Sequence, residues 1–139
     1  MTARDLMTPN PATVTPDTSL AEVWDLMREL EIRHVPVAQD GALVGMLSDR
    51  DLAHLDMTRM LQVEGADALR QELTMPIVKV MSADVISVEP DTDLGELIDL
   101  LVEHRVGALP VVRPGTREVI GIVSYVDVLR VLRDQVEEE

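Results

Sequence analysis

The sequence predicts an α/β (α+β) fold made of two like halves, each a β-α-β-β-α unit in which short strands are covered by helices. Three observations predict it. The chain repeats itself in register, each repeat switches between a helical and a strand period, and the core has to be aliphatic because Phe is absent and Trp24 and Tyr125 are the only aromatics. Val, Ile, Leu and Met fill such a core.

The repeat settles the architecture. Thr15-Pro16-Asp17-Thr18-Ser19-Leu20 recurs as Glu89-Pro90-Asp91-Thr92-Asp93-Leu94, at an offset of 90 − 16 = 74. The same offset aligns Met7 with Met81, Val14 with Val88, Glu22 with Glu96, Pro36-Val37 with Pro110-Val111 and Gly41 with Gly115. Two extra residues in the second hairpin turn then make it 121 − 45 = 76, which aligns Gly45, Ser48 and Asp51 with Gly121, Ser124 and Asp127.

Taken in order, each repeat starts with a short extended piece ending at Pro16 or Pro90. A helix follows, opened by Ser19-x-x-Glu22 or Asp93-x-x-Glu96 at capping-box spacing. Helical periodicity gives it a buried face of Leu20, Val23, Trp24, Met27 and Leu30, or of Leu94, Leu97, Ile98 and Leu101. Strands are expected at Val35 to Ala38 and Leu43 to Leu47 around the Asp40-Gly41 turn. The second copy has Leu109 to Val112 and Val119 to Val123 around Pro114-Gly115, and a last helix begins at Ser48 or Ser124. Between the copies, Leu55, Met60, Leu61, Leu69 and Leu73 suggest two short helices broken near Gly65. The expected layout is one module over 1–139, with repeats at 6–53 and 80–133 and a helical linker at 54–79.

Composition narrows the function. The 139 residues suit one domain, and 46% apolar residues rule out a disordered chain. A net charge of −14 without a basic run argues against nucleic acid and against an anionic membrane. An anionic small molecule stays open, because screening at ~8 Å leaves local charge in command. With no cysteine there is neither a disulfide framework nor a thiolate metal site, and no two of His34, His54 and His104 sit at ligand spacing. No signal peptide is visible, and apolar runs of about five residues fall short of the ~20 a membrane helix needs. The expected location is the cytoplasm. No nucleophile is paired with a base at a readable spacing, and no glycine-rich phosphate loop is present, so no catalytic or metal residues are assigned.

Leu6-Met7-Thr8 and Val80-Met81-Ser82, the Val-Pro-Val and Leu-Pro-Val strands, and above all Gly45-Met46-Leu47-Ser48-Asp49-Arg50-Asp51 and Gly121-Ile122-Val123-Ser124-Tyr125-Val126-Asp127 resemble a known pattern. It is that of consecutive cystathionine-β-synthase (CBS) motifs. The resemblance implies two motifs packed through their sheets with pseudo-twofold symmetry, clefts for an adenosine-containing ligand, and two modules associated as a homodimer. AMP, ADP, ATP, S-adenosylmethionine and NAD are the implied ligands, with no cofactor required. Asp51 and Asp127 would accept the ribose hydroxyls, while Ser48, Ser124 and the first helical amides would face a phosphate. Ile32, Met46, Val106 and Ile122 would wall the adenine, with Thr15 or Glu89 bordering the site from the opposite motif.

Each Ser-x-x-Asp is equally a capping box that needs no ligand. Arg33, His34 and Arg50 place positive or titratable groups near the presumed phosphate of the first copy, where the second has Gly107, Ala108 and Val126. Symmetric structural needs would not concentrate these groups in one copy, so the two sites are expected to differ. Two functions follow. One is a non-catalytic regulatory sensor of an adenosine-type ligand, and the alternative is a dimerisation or partner-docking module, for an effector protein not identified, whose clefts stay empty. The expected dimer face is the final helices, around Leu52, Leu55, Val128, Leu129 and Leu132.

Overall fold

The computed structural model describes residues 1–53 and 73–138. The helices expected around Leu55, Met60, Leu61 and Leu69 lie outside the described residues. In chain order the elements are α1 (Ala3–Leu6), β1 (Thr8–Pro9), α2 (Leu20–Leu30), β2 (His34–Gln39) and β3 (Ala42–Ser48). They continue with α3 (described over 49–53), a 3-10 turn at Ile77–Lys79, α4 (Leu94–His104), β4 (Ala108–Val112), β5 (Val119–Ser124) and α5 (Tyr125–Glu137). The chain divides into two compact units.

The first unit, here the Asp51 unit, comprises Ala12–Asp40 and Val44–Val85. Ser19 caps α2 by accepting the Glu22 N–H at 3.2 Å. Leu20, Val23 and Met27 of that helix are buried against Val35, Val37 and Leu47, with Leu52 and Ile77 completing the core. Two expected core residues are not there, since Trp24 is 37% and Leu30 50% exposed. Eleven residues of helix turn the apolar stripe away from both positions, because three buried side chains at i, i+3 and i+7 already fill the contact with the sheet. Strand β2 pairs with β3. Asp40 (φ 53°) and Gly41 (φ 83°) both take the left-handed region at the turn between them, which a glycine adopts without cost. Val14 bridges Val37 in parallel, so the extended piece before Pro16 lies along its own repeat.

The second, the Asp127 unit, comprises Met1–Pro11, Gly41–Leu43 and Ile86–Glu139. Asp93 caps α4 through the Glu96 N–H at 2.9 Å. Leu97 and Leu101 meet Leu109, Val111, Val123 and Val128, with Leu94 and Ile98 partly buried beside them. Its sheet runs β1-β5-β4, with Ala108 opposite Ser124 and Pro110 opposite Ile122. Val88 bridges Val111 as Val14 bridges Val37.

The start of each repeat pairs elsewhere than its own sheet. Thr8 pairs with Ile122, and its repeat equivalent Ser82 exchanges two backbone hydrogen bonds of 3.0 Å with Met46. The methionines before them explain Gly45 and Gly121. A Cβ at Gly45 would stand 2.5 Å from Met81 Sδ and 3.0 Å from the Ser82 carbonyl oxygen, and one at Gly121 would meet Met7, with Cγ 3.0 Å away. A methionine of the chain itself therefore approaches each of these glycines closely.

Candidate functional site

Each unit presents the same arrangement at the end of its last strand. In the Asp51 unit the Asp51 N–H donates to Ser48 Oγ at 3.2 Å, and the Ser48 N–H donates to Asp51 Oδ2 at 3.0 Å. In the Asp127 unit the Asp127 N–H donates to Ser124 Oγ at 3.3 Å, and the Ser124 N–H donates to Asp127 Oδ2 at 2.8 Å. Both motifs thus form the reciprocal box that satisfies two orphan amides. The box occupies one carboxylate oxygen. Oδ1 of each aspartate makes no hydrogen bond among the described residues and remains available as a charged acceptor. Capping therefore leaves the second oxygen of each carboxylate unoccupied by it.

The helix starts are tied back to the strand before. The Asp49 N–H donates to the Arg33 carbonyl at 2.8 Å, and the Tyr125 N–H to the Gly107 carbonyl at 3.0 Å. The first helical amide of each site is thereby spent, which leaves those of Arg50 and Val126 as the first open donors. These bonds also bring Arg33 and His34 to the start of α3, and Gly107 and Ala108 to the start of α5.

His34 is half-buried, and burial holds its imidazole below the usual value, with Arg33 pushing the same way. Asp49 and Asp51 oppose them. Arg33 and Arg50 are exposed, with no ion pair among the described residues. Ile32 is half-buried and packs on the core of its unit. Together with Asp49 it also lines an open cavity of about 280 Å³ shared with Trp24, Met27, Arg28, Leu52 and Ala53. Met46 and Ile122 are half-buried on their strands, and Val106 is 38% exposed beside Gly107. Thr15 is exposed, but its hydroxyl donates to Asp17 and its N–H to Thr18 Oγ1 at 3.1 Å, so its groups serve a turn. Glu89 makes the same turn through the Thr92 hydroxyl at 3.1 Å.

Sequence reasoning missed Asp49, whose negative charge faces His34, and Tyr125, which holds its place in the other unit with 40% exposure. Both occupy variable positions of the heptad, and the repeat itself was the signal that paired them. Among the described residues no cluster of three or more His, Cys, Asp or Glu could hold a metal, and no helix is long and apolar enough to cross a membrane.

Two repeats of mixed helix and strand, each ending in a Ser-x-x-Asp helix start, define a tandem-motif α/β protein. The model of the CBS domain matches residues 3–57 and 77–134, and the chain belongs to that family. It is 33% identical over 124 residues to the CBS domain-containing protein YhcV of Bacillus subtilis, covering 89% of this chain and 80% of that protein. Among solved structures it is similar to CBSX2 in complex with AMP, at 29% identity, 98% coverage of both chains and a TM-score of 0.78. It also shares its fold with the CBS domain pair of protein MJ0100 in complex with 5′-methylthioadenosine and S-adenosylmethionine. That match has 24% identity and a TM-score of 0.80, and covers 97% of this chain and 98% of that one.

Proposed function

We propose that this chain is a non-catalytic regulatory module that senses an adenosine-containing ligand, drawn from AMP, ADP, ATP, S-adenosylmethionine and NAD. The observation that carries the reading is the pair of capped helix starts in which an aspartate keeps one oxygen free. That oxygen is an acceptor for vicinal ribose hydroxyls, and the open amide one residue earlier is a donor for a phosphate. Ile32 and Met46, or Val106 and Ile122, supply apolar walls for a purine. In the Asp51 unit Arg33, His34 and Arg50 hold the phosphate, because an exposed helix N-terminus offers only ~0.3–1 kcal/mol to an anion. The AMP-bound relative supports the ligand class. A thermal-shift panel of adenine and guanine nucleotides, S-adenosylmethionine and NAD tests it. A true ligand at 100 times its Kd adds ~2.7 kcal/mol to stability. No shift with any adenosine compound overturns the reading.

A second reading, an assembly module acting as a homodimer, is favoured by the apolar side chains left in solvent: Trp24, Val102 at 69% exposure and Leu129 at 55%. Of the expected dimer residues, Leu52 and Val128 are buried in their own units at 2% and 4% and cannot form that face. Their helices point one stripe inward, so the exposed stripe falls on neighbours such as Leu129. Sedimentation at micromolar concentration and moderate salt should show a dimer, and a species purely monomeric would exclude this reading.

A further inference from the structure

The two sites share a skeleton and differ in every charged position around it. At the start of α3 stand Arg33, His34, Asp49 and Arg50, and at the start of α5 their equivalents are Gly107, Ala108, Tyr125 and Val126. The second set carries no charge, which leaves the Asp127 carboxylate beside it without those neighbours. Tyr125, whose N–H bonds the Gly107 carbonyl, and Val106, the residue before Gly107, are uncharged and 40% and 38% exposed. A second difference is independent of charge. Ser124 Oγ donates its proton to Asp127 Oδ2 at 3.0 Å, whereas the Ser48 hydroxyl accepts from the Asp51 N–H and gives its proton to no described group. The hydroxyl that would donate to a phosphate is free in one unit and spent in the other. Two exposed cations lie close along the chain, Arg130 three residues after Asp127 on α5 and Arg105 at the left-handed residue ending α4 (φ 53°), where Glu31 stands in the other unit. Neither makes a hydrogen bond or ion pair among the described residues, and solvent screens charges so placed.

We propose that the Asp127 site takes an adenosine whose 5′ end carries no phosphate, a free nucleoside or a 5′-thioether, while the Asp51 site takes the phosphorylated form. The inference rests on the adenosine reading above and deepens it. A phosphate at the Asp127 site would face a carboxylate and a single backbone amide, without counterparts of Arg33, His34 and Arg50. An uncharged 5′ group leaves Asp127 to the ribose and lies against Tyr125 and Val106, which bury apolar atoms at no electrostatic cost.

Calorimetric titration of the full chain with adenosine, 5′-methylthioadenosine and AMP tests it, in Asp51→Asn, Asp127→Asn and Val126→Arg proteins. Asparagine keeps an acceptor for the cap, and urea midpoints of each variant establish that it folds. With Asp51 replaced, adenosine and its thioether should bind at least about tenfold tighter than AMP, the size of one lost charge-assisted hydrogen bond. With Asp127 replaced, AMP binding should persist and methylthioadenosine binding should fall by about tenfold or more. Val126→Arg, which installs the counterpart of Arg50, should raise AMP affinity at this site by about tenfold, whereas Arg105→Ala should leave the preference unchanged. AMP binding to the Asp51→Asn protein as tightly as adenosine, or no gain from Val126→Arg, overturns the proposal while the adenosine reading stands. If the wild-type chain binds none of the three compounds, the adenosine reading falls and the proposal with it.

Discussion

The Asp51 and Asp127 units are the same object twice in backbone and core, and two different objects in charge. Leu97, Leu109, Val111 and Val123 of one do the work of Val23, Val35, Val37 and Leu47 in the other. Both turn on a positive-φ glycine, both cap with Ser-x-x-Asp, and both end their first helix on a left-handed non-glycine residue, Glu31 or Arg105. At the surface beside the cap the likeness stops. Packing constrains every buried position of a repeat, because a lost methylene or an extra one is felt at once. Exposed positions are released from that constraint, and the difference between the halves has collected there.

The largest test of the comparison is in the two cores. Leu47→Ala and Leu109→Ala remove fully buried side chains, and each should cost ~2–5 kcal/mol in urea unfolding. If the units unfold together the two variants shift one shared transition, and if they unfold separately each shifts its own half. Next come the glycines. Gly45→Ala drives a methyl toward the backbone oxygen of Ser82 as well as Met81 and should cost ~1–3 kcal/mol. At Gly121 the three nearest atoms to an added methyl all belong to the Met7 side chain, so the cost of Gly121→Ala should be smaller and should shrink further beside Met7→Ala. Equal penalties at the two glycines would contradict this asymmetry.

The caps come third. Ser48→Ala and Ser124→Ala should each cost ~1 kcal/mol. Ser124→Ala should be the worse of the two, since Ser124 also donates to Asp127. Chemical denaturation read at far-UV wavelengths measures both. The smallest effect is that of pH on His34. Its folded-state pKa lies below the ordinary 6.5, so between the two values the unfolded chain binds the extra proton. Stability is then complete above about 6.5 and declines as pH falls through the folded-state pKa. A bound phosphate favours the protonated ring, so AMP affinity at the Asp51 site should rise over the same fall in pH. His34→Ala should flatten both trends, and a variant whose pH profile still matches the wild type would show that another group titrates.

Most of the fold was legible because repetition supplies its own control. Strand ends differ by at most one residue from expectation, and both hairpin turns and both Ser-x-x-Asp caps fall where the spacing put them. Trp24 and Leu30 were misplaced because periodicity marks an apolar stripe without giving its width, and the sheet takes only three residues of α2. Leu52 and Val128 were read as dimer residues for the same reason. Within the candidate site the aspartates and serines were legible as a pair. What no sequence pattern conveys is where a hydroxyl proton goes, and Ser48 differs from Ser124 in that alone. Nor does spacing reveal long-range exchange, so the approach of Met81 to Gly45 and of Met7 to Gly121 is seen only in the structure.

That exchange bears on the order in which the protein can mature. Ala3 is fully buried in a core otherwise drawn from Val88 to Val128, and the Leu94 N–H donates to the Met1 carbonyl at 2.9 Å. The segment around Thr8 therefore finds its place late, since Thr8 cannot pair until Ile122 has been synthesised. Until then Leu6 and Met7 lack the core they pack against, so closure of the Asp127 unit depends on a contact between distant parts of the chain.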